Sequence, residues 1–390
     1  MHVHNTVRGT LFGFVAVSLA CATASAATFD LYTVPGIPLD TNTNQILYAH
    51  NLTNGTTNLT VETLSTSTNS VLLNFFNQGI WSGFLTSHGA IFQASSIASN
   101  PNAQYHVYES RDGSLLDLGP TGPNSGDSEL TAAGDYAAWN TFLFGAPTTS
   151  NRPLTTRNLA TGTNTTVAPQ SGGSEIQVMP TGDLYFTGTS TSDYNIYQYH
   201  AGTVTNLTVT APNPVHIEPA SDGSNVVFLS KTAILASTED LVLRDSSGNF
   251  TTLVPGFTGG DQTGSAYAIN NGWIAYQIKT PSNGYQIWER SPAGVLTSLS
   301  FRSLKSGDLK VGSDGSVAWT SINFDNTKNI YIESPGDSGP TAAVSNVQSD
   351  TLFNWDGTNW NVVVDLPEPI IGLALLPLIL LSRKRRIHQP

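Results

Sequence analysis

The sequence predicts an all-β propeller of seven blades. Three observations point there. No stretch of the body holds apolar residues at helical spacing over three turns, a glycine-led strand unit recurs seven times, and a hairpin unit recurs seven times. Short apolar, β-branched or aromatic runs such as Val226-Val227-Phe228-Leu229 and Trp273-Ile274-Ala275-Tyr276 are bounded by Gly, Asn, Asp and Ser turns, the pattern of strands.

The glycine-led units are HGAIFQASS, AGDYAAWNT, TGDLYFTGT, DGSNVVFLS, NGWIAYQIK, DGSVAWTS and DGTNWNVVV. Their glycines, Gly89, Gly134, Gly182, Gly223, Gly272, Gly315 and Gly357, stand 41 to 49 residues apart. Blades of four short strands need about 40–45 residues each. The hairpin units carry small residues in their turns, as in QYHVYESRDGSLLDLG and EDLVLRDSSGNFTTLV. The body opens on a hairpin unit at 44–64 and closes on a glycine-led hairpin at 351–364. These two orphan halves are expected to meet as one shared blade, since closure removes exposed strand edges. Six blades plus a stalk is the alternative.

Both ends of the chain read as processing signals. At the start, Arg8 precedes an apolar run from Leu11 to Ala20, and Ala24-Ser25-Ala26 offers a small-x-small cleavage site. That run is shorter than the roughly 20 residues a bilayer needs. An exported chain with residues 1–26 as signal peptide, recognised at Ala24 and Ala26, is therefore expected. The single cysteine, Cys21, falls inside that signal, so the expected mature body has no thiol for a disulfide, a thiolate metal site or a nucleophile.

Charge is sparse: 11% of the 390 residues are Asp, Glu, Lys or Arg, against about a quarter in ordinary soluble domains. Removing both ends leaves 11 bases against 27 acids, a net charge of −16 on the body. Nucleic acid and anionic membrane surfaces are poor partners for it.

The last residues read DLPEPIIGLALLPLILLSRKRRIHQP. Ile370–Leu381 is an apolar run, and as a short helix it would reach about 18 Å, less than the roughly 30 Å hydrocarbon core. Snorkelling stems of Arg383 and Lys384 extend that reach, and the cluster Arg383, Lys384, Arg385 and Arg386 is of the kind that stays cytoplasmic. In sum, Pro367-Glu368-Pro369, an apolar segment and a terminal basic cluster resemble the PEP-CTERM sorting signal of Gram-negative and related bacteria. The resemblance implies recognition by an exosortase-type membrane protease, transient membrane anchoring at 366–390, and a final place in the envelope or outside the cell. The body, 27–365, resembles TolB-like periplasmic propellers, best in Asp314-Gly315-Ser316-Val317-Ala318-Trp319 followed by Asn329-Ile330-Tyr331.

Candidate chemistry is thin. Glu129, Glu175, Glu218, Asp261 and Asp308 lie near blade starts, in segments leading into inner strands, where channel-lining residues belong and where propeller glycosidases place carboxylates. The same carboxylates could serve a Ca²⁺ ion, though no compact loop of alternating Asp accompanies them. His106, His200 and His216 have no metal-site spacing, and no G-x-S-x-G elbow or phosphate-binding glycine loop occurs. Gly312-Ser313-Asp314-Gly315 does not fit a sialidase Asp box and reads as a turn. Asn51, Asn54 and Asn58 begin N-x-T triplets that read as a polar hairpin. The expectation is a binding or scaffold module without catalytic residues or cofactor, associated with exopolysaccharide or a surface protein. A polysaccharide hydrolase or lyase on the same scaffold is the alternative.

Overall fold

The computed structural model describes residues 28–52, 56–76, 79–95, 105–119, 125–143, 152–171, 175–190, 193–234, 236–258, 266–280, 284–303, 305–323 and 325–365. The signal segment with Ala24 and Ala26, the tail with the short helix expected of it, Asn54 and Asp261 lie outside the described residues. So do Pro367, Glu368, Pro369, Arg383, Lys384, Arg385 and Arg386.

The described chain is all β. Strand β1 (Phe29–Val34) precedes seven runs of four strands. The first run is β2 (Ile37–Thr41), β3 (Gln45–Asn51), β4 (Thr56–Thr63) and β5 (Thr68–Phe76). Next come β6 (Ile80–Thr86), β7 (Gly89–Ser95), β8 (Tyr105–Arg111) and β9 (Ser114–Asp117). The third is β10 (Ser125–Ala133), β11 (Tyr136–Leu143), β12 (Arg152–Asn158) and β13 (Thr163–Ser171). The fourth is β14 (Ile176–Val178), β15 (Leu184–Ser190), β16 (Asp193–His200) and β17 (Thr203–Asn206). The fifth is β18 (Val215–Ser221), β19 (Val226–Lys231), β20 (Glu239–Arg244) and β21 (Phe250–Phe257). The sixth is β22 (Tyr267–Asn270), β23 (Trp273–Lys279), β24 (Tyr285–Arg290) and β25 (Leu296–Ser303). The seventh is β26 (Lys305–Val311), β27 (Val317–Ile322), β28 (Lys328–Glu333) and β29 (Thr341–Val347). A hairpin of β30 (Thr351–Trp355) and β31 (Trp360–Asp365) ends the described residues.

The strands fall into two compact units. One holds the chain up to His50, Thr63–Ser67 and everything from Gly259; the other holds Asn51–Glu62 and Thr68–Thr258. In the second unit, β6–β9 and β10–β13 are antiparallel meanders in chain order. The runs β14–β17 and β18–β21 are meanders too, joined through one parallel bridge, Tyr194 to Val215. In the first unit, β22–β25 and β26–β29 repeat the pattern, and β2 pairs antiparallel with β3.

The predicted shared blade is built differently. The β30–β31 hairpin pairs with β1, not with the hairpin of 44–64, and β1 lies parallel to β31 with Phe29 opposite Trp360 and Leu31 opposite Val362. The reason is apolar alternation: Phe29 and Leu31 join Phe353, Trp360, Val362, Ile330 and Ile332 in one buried cluster. The segment 44–64 is not an orphan because β2, with Pro38 in it, supplies its first strand. That proline sits beside a register slip at Pro38/Asp40, where a strand tolerates it.

Successive sheets bury their apolar faces against each other. Ile91, Val107, Ala137, Trp139 and Leu159 form one such layer, and Tyr185, Ile196, Val226, Phe228 and Val242 another. In the first unit Ala275, Ile287, Leu309, Val317 and Trp319 do the same. The turn glycines have a packing role besides their backbone one. Gly315 sits at φ 90°, and a Cβ there would come 2.7 Å from the Trp273 ring of the neighbouring sheet.

Candidate functional site

Three of the five carboxylates singled out from sequence come together, and the first strands of successive sheets bring them there. Glu129 lies in β10, Glu175 directly precedes β14 and Glu218 lies in β18. Each holds a left-handed backbone, at φ 57°, 83° and 57°. For Glu129 and Glu218 the cause is a β-bulge: pairing slips between Ser128 and Thr131 and between Ile217 and Ala220. A bulge turns one main-chain N–H out of its own ladder, and that amide must find another acceptor.

For Glu218 the acceptor is the preceding glutamate, and Glu175, just ahead of β14, is held in the same way. Glu129 Oε2 accepts the main-chain N–H of Glu175 at 3.1 Å, and Glu175 Oε2 accepts that of Glu218 at 2.6 Å. Asn140 Nδ2 also donates to Glu129 Oε2 at 3.1 Å, and the Thr187 hydroxyl to Glu175 Oε2 at 3.0 Å. The result is a ladder of carboxylates running across three sheets. Amide staples flank it: Gln177 Nε2 donates to Ser221 O at 2.9 Å, and Ser221 N–H to Gln177 Oε1 at 2.5 Å.

Burial raises the Glu175 carboxyl, with the Glu218 amide and the Thr187 hydroxyl acting against it. Glu218, the most exposed of the three, is pushed up to about 7 by loss of hydration and then by Glu175 and Glu239. Lys231 opposes that rise and itself pairs with Glu239 at 2.5 Å. Beside the ladder, Asp127 is completely buried. It accepts from Thr141 Oγ1 at 2.9 Å and from the Val107 amide at 3.1 Å, and burial raises it to about 6.

Asp308 is not part of this ladder. It stands exposed in the bulge between Ser306 and Leu309 of β26, in the other unit. There a second polar ladder runs across β26, β30 and β2, which sequence reasoning missed. Lys310 Nζ donates to Asn354 Oδ1, and Asn354 Nδ2 donates to Asp40 Oδ1 at 2.8 Å. Burial pushes the Lys310 ammonium down, while Asp308 and Asp40 hold it up. Its signal in the sequence was faint: a polar residue near the start of each repeat, of three different types.

The histidines stay apart. His106 Nδ1 meets Asp117 at 3.0 Å, His200 Nδ1 meets Asp183 at 2.6 Å, and His216 is buried edge-on against Phe228. Burial lowers His216. Among the described residues no three His, Cys, Asp or Glu side chains gather in an arrangement that could hold a metal ion. Asp314 Oδ1 accepts from the Ser316 amide at 2.9 Å and its hydroxyl at 2.6 Å, the turn role expected of it. Asn51 Oδ1 takes the Thr57 hydroxyl at 2.8 Å across the polar hairpin.

The fold has known counterparts. The chain is similar to a puromycin hydrolase structure with TM-score 0.52 and 10% identity, over 80% of this chain and 54% of that one. It is similar to the β-propeller domain of the Trilobed protease from Pyrococcus furiosus, described as having an open velcro topology, with TM-score 0.50 and 9% identity over 80% and 97%. TolB from Acinetobacter baumannii matches at 18% identity over 69% and 66%, with a TM-score of 0.37 too low to add to the argument. This chain thus spans about half the length of the puromycin hydrolase it matches. The likeness establishes an all-β propeller body. No protein-family model matches the sequence, and no curated protein matches it.

Proposed function

We propose that this chain is an exported, envelope-sorted propeller that acts as a binding or scaffold module rather than as an enzyme. The observation carrying the non-enzymatic reading is the glutamate ladder. Glu129 and Glu175 each direct an oxygen at the main-chain amide of the next sheet, which is a structural task. Catalytic carboxylates of glycosidases instead flank an open bond of the substrate. Each four-strand run, together with the sheet of β1, β31 and β30, is read as one blade, eight among the described residues rather than seven. The charge-poor, acidic surface fits a neutral polymer such as extracellular polysaccharide, or a surface protein, better than an anionic one.

One observation favours the second reading, a polysaccharide hydrolase or lyase. Glu218, raised to about 7 beside Glu175, is the sort of pair that acid–base chemistry uses. A polysaccharide panel separates the two. Retention of a polymer with no reducing ends released supports the module; release abolished by Glu175→Gln supports the enzyme.

Sorting rests on the tail. Replacing Pro367-Glu368-Pro369 by alanines should leave an uncleaved, membrane-held precursor in the native host. Normal maturation of that variant would reduce the tail to a plain anchor.

A further inference from the structure

The first and second units build the same position from different charges. In the second unit, Glu109 of β8 lies opposite Ile91 and Arg157 of β12 lies opposite Ala137. The two side chains meet across adjacent sheets: Arg157 Nε and Nη2 reach Glu109 Oε2 at 2.8 and 2.5 Å, both residues at most 4% exposed. In the first unit, Glu289 of β24 lies opposite Ala275 and Glu333 of β28 lies opposite Val317. The strands align through the tryptophan two residues on, Trp139 in one unit and Trp319 in the other, so Glu333 stands where Arg157 does.

Alternation along the strands sets the facing. Glu289 shares a face with Ile287, and Glu333 with Tyr331, and both of those pack in the layer between the β22–β25 and β26–β29 sheets. Glu289 is 4% exposed and Glu333 6%. Glu333 Oε2 is shut from solvent with no hydrogen-bond partner. The other charged groups turned toward the pair are also acids, Asp314 beside Glu289 and Asp337 beside Glu333. Two carboxylates buried in one apolar layer with no cation beside them are held toward their neutral forms.

We propose that Glu289 and Glu333 form a protonated seam between these two sheets, closed while the buried carboxyls hold their protons and loosened once both ionise. Burial raises each carboxyl to about 7, with Asp314 adding to the rise at Glu289 and Asp337 and then Glu289 at Glu333. A folded-state pKa above the unfolded one means that the folded chain binds more protons. The stability is therefore complete below the ordinary glutamate range and is lost as pH rises toward 7.

The test is thermal unfolding of the full chain from about pH 5 to about pH 8.5. Other raised carboxyls titrate in every variant, so the comparison is between variants. Across that range the midpoint of the wild type should fall by about 4 °C more than that of Glu333→Arg, which restores the ion pair of the other unit. In the infrared, the carbonyl band of a protonated carboxyl at about pH 6 should weaken in Glu289→Gln and in Glu333→Gln. Equal pH slopes in wild type and Glu333→Arg would overturn the proposal. An unchanged band in both glutamine variants would do the same if the arginine variant fails to fold. Stabilisation by about 1 mM Ca²⁺ that Glu289→Gln abolishes would overturn it too, by making the pair a cation site.

Discussion

Glu175 accepts the main-chain amide of Glu218 at 2.6 Å, and its own amide is accepted by Glu129 at 3.1 Å. One residue thus serves as acceptor toward the following sheet and donor toward the preceding one. The bulge at Glu218 and the left-handed backbone of Glu175 make this necessary, because an amide turned away from its ladder is costly when unpaired.

Glu175→Ala should therefore destabilise the protein by about 2–4 kcal/mol, leaving both the Glu218 amide and the Thr187 hydroxyl without an acceptor. Glu175→Gln keeps a carbonyl oxygen there and should cost less than half as much. Urea unfolding of the three proteins checks the order, and an alanine variant as stable as wild type would remove the ladder's structural role.

Asp127 gives a pH signature of its own. Its folded pKa of about 6 lies above the ordinary 3.8, so its contribution is present below that lower value and is lost as pH rises to 6. A shift of that size corresponds to about 3 kcal/mol. Asp127→Asn should flatten that part of the stability profile. Rotation of the Thr141 hydroxyl lets the asparagine satisfy both neighbours. Denaturant melts at about pH 4.5 and about pH 7 measure it.

Breaking the buried ion pair is expected to be severe. Arg157→Leu would leave Glu109 enclosed without its cation, at a cost of about 3–5 kcal/mol. The double variant Glu109→Gln/Arg157→Leu should recover much of that loss. A double-mutant cycle on unfolding free energies reads the coupling directly.

The parallel strand at the start of the body is tested by Leu31→Ala. Leu31 is 8% exposed in the cluster with Phe353, Trp360 and Val362, and its truncation should cost about 2–5 kcal/mol. Leu31→Asp should also promote aggregation, because it frees the edge of β31. Light scattering during a thermal ramp would show no change if β1 were dispensable.

Gly315→Ala should be destabilising by more than the usual helix or strand penalty for a side chain. The φ of 90° disfavours any Cβ, and the Trp273 ring occupies its place. Gly336→Ala, with nothing near its Cβ, carries only the conformational cost and serves as the control.

The repeat structure was legible in the sequence because it is local. Turn chemistry at Gly182, Gly223, Gly272 and Gly315, and apolar strands such as Val226-Val227-Phe228, depend on neighbours a few residues away. The propeller class followed from their spacing alone. Five candidate carboxylates were also legible as positions, since each falls near the start of a repeat in the sequence. Which of them meet was decided by tertiary structure. Bulges at Ser128/Thr131 and Ile217/Ala220 reorient the backbone, and only stacking of successive sheets then brings Glu129 to the amide of residue 175 and Glu175 to that of residue 218. The partner of the last hairpin was hidden for a similar reason. Phe29–Val34 carries no turn glycine, and its parallel pairing with Trp360–Asp365 joins residues more than 300 positions apart. Which buried charges share a layer, as Glu289 and Glu333 do, is likewise set by which strand faces pack together, since residue spacing fixes the face but not what lies across it.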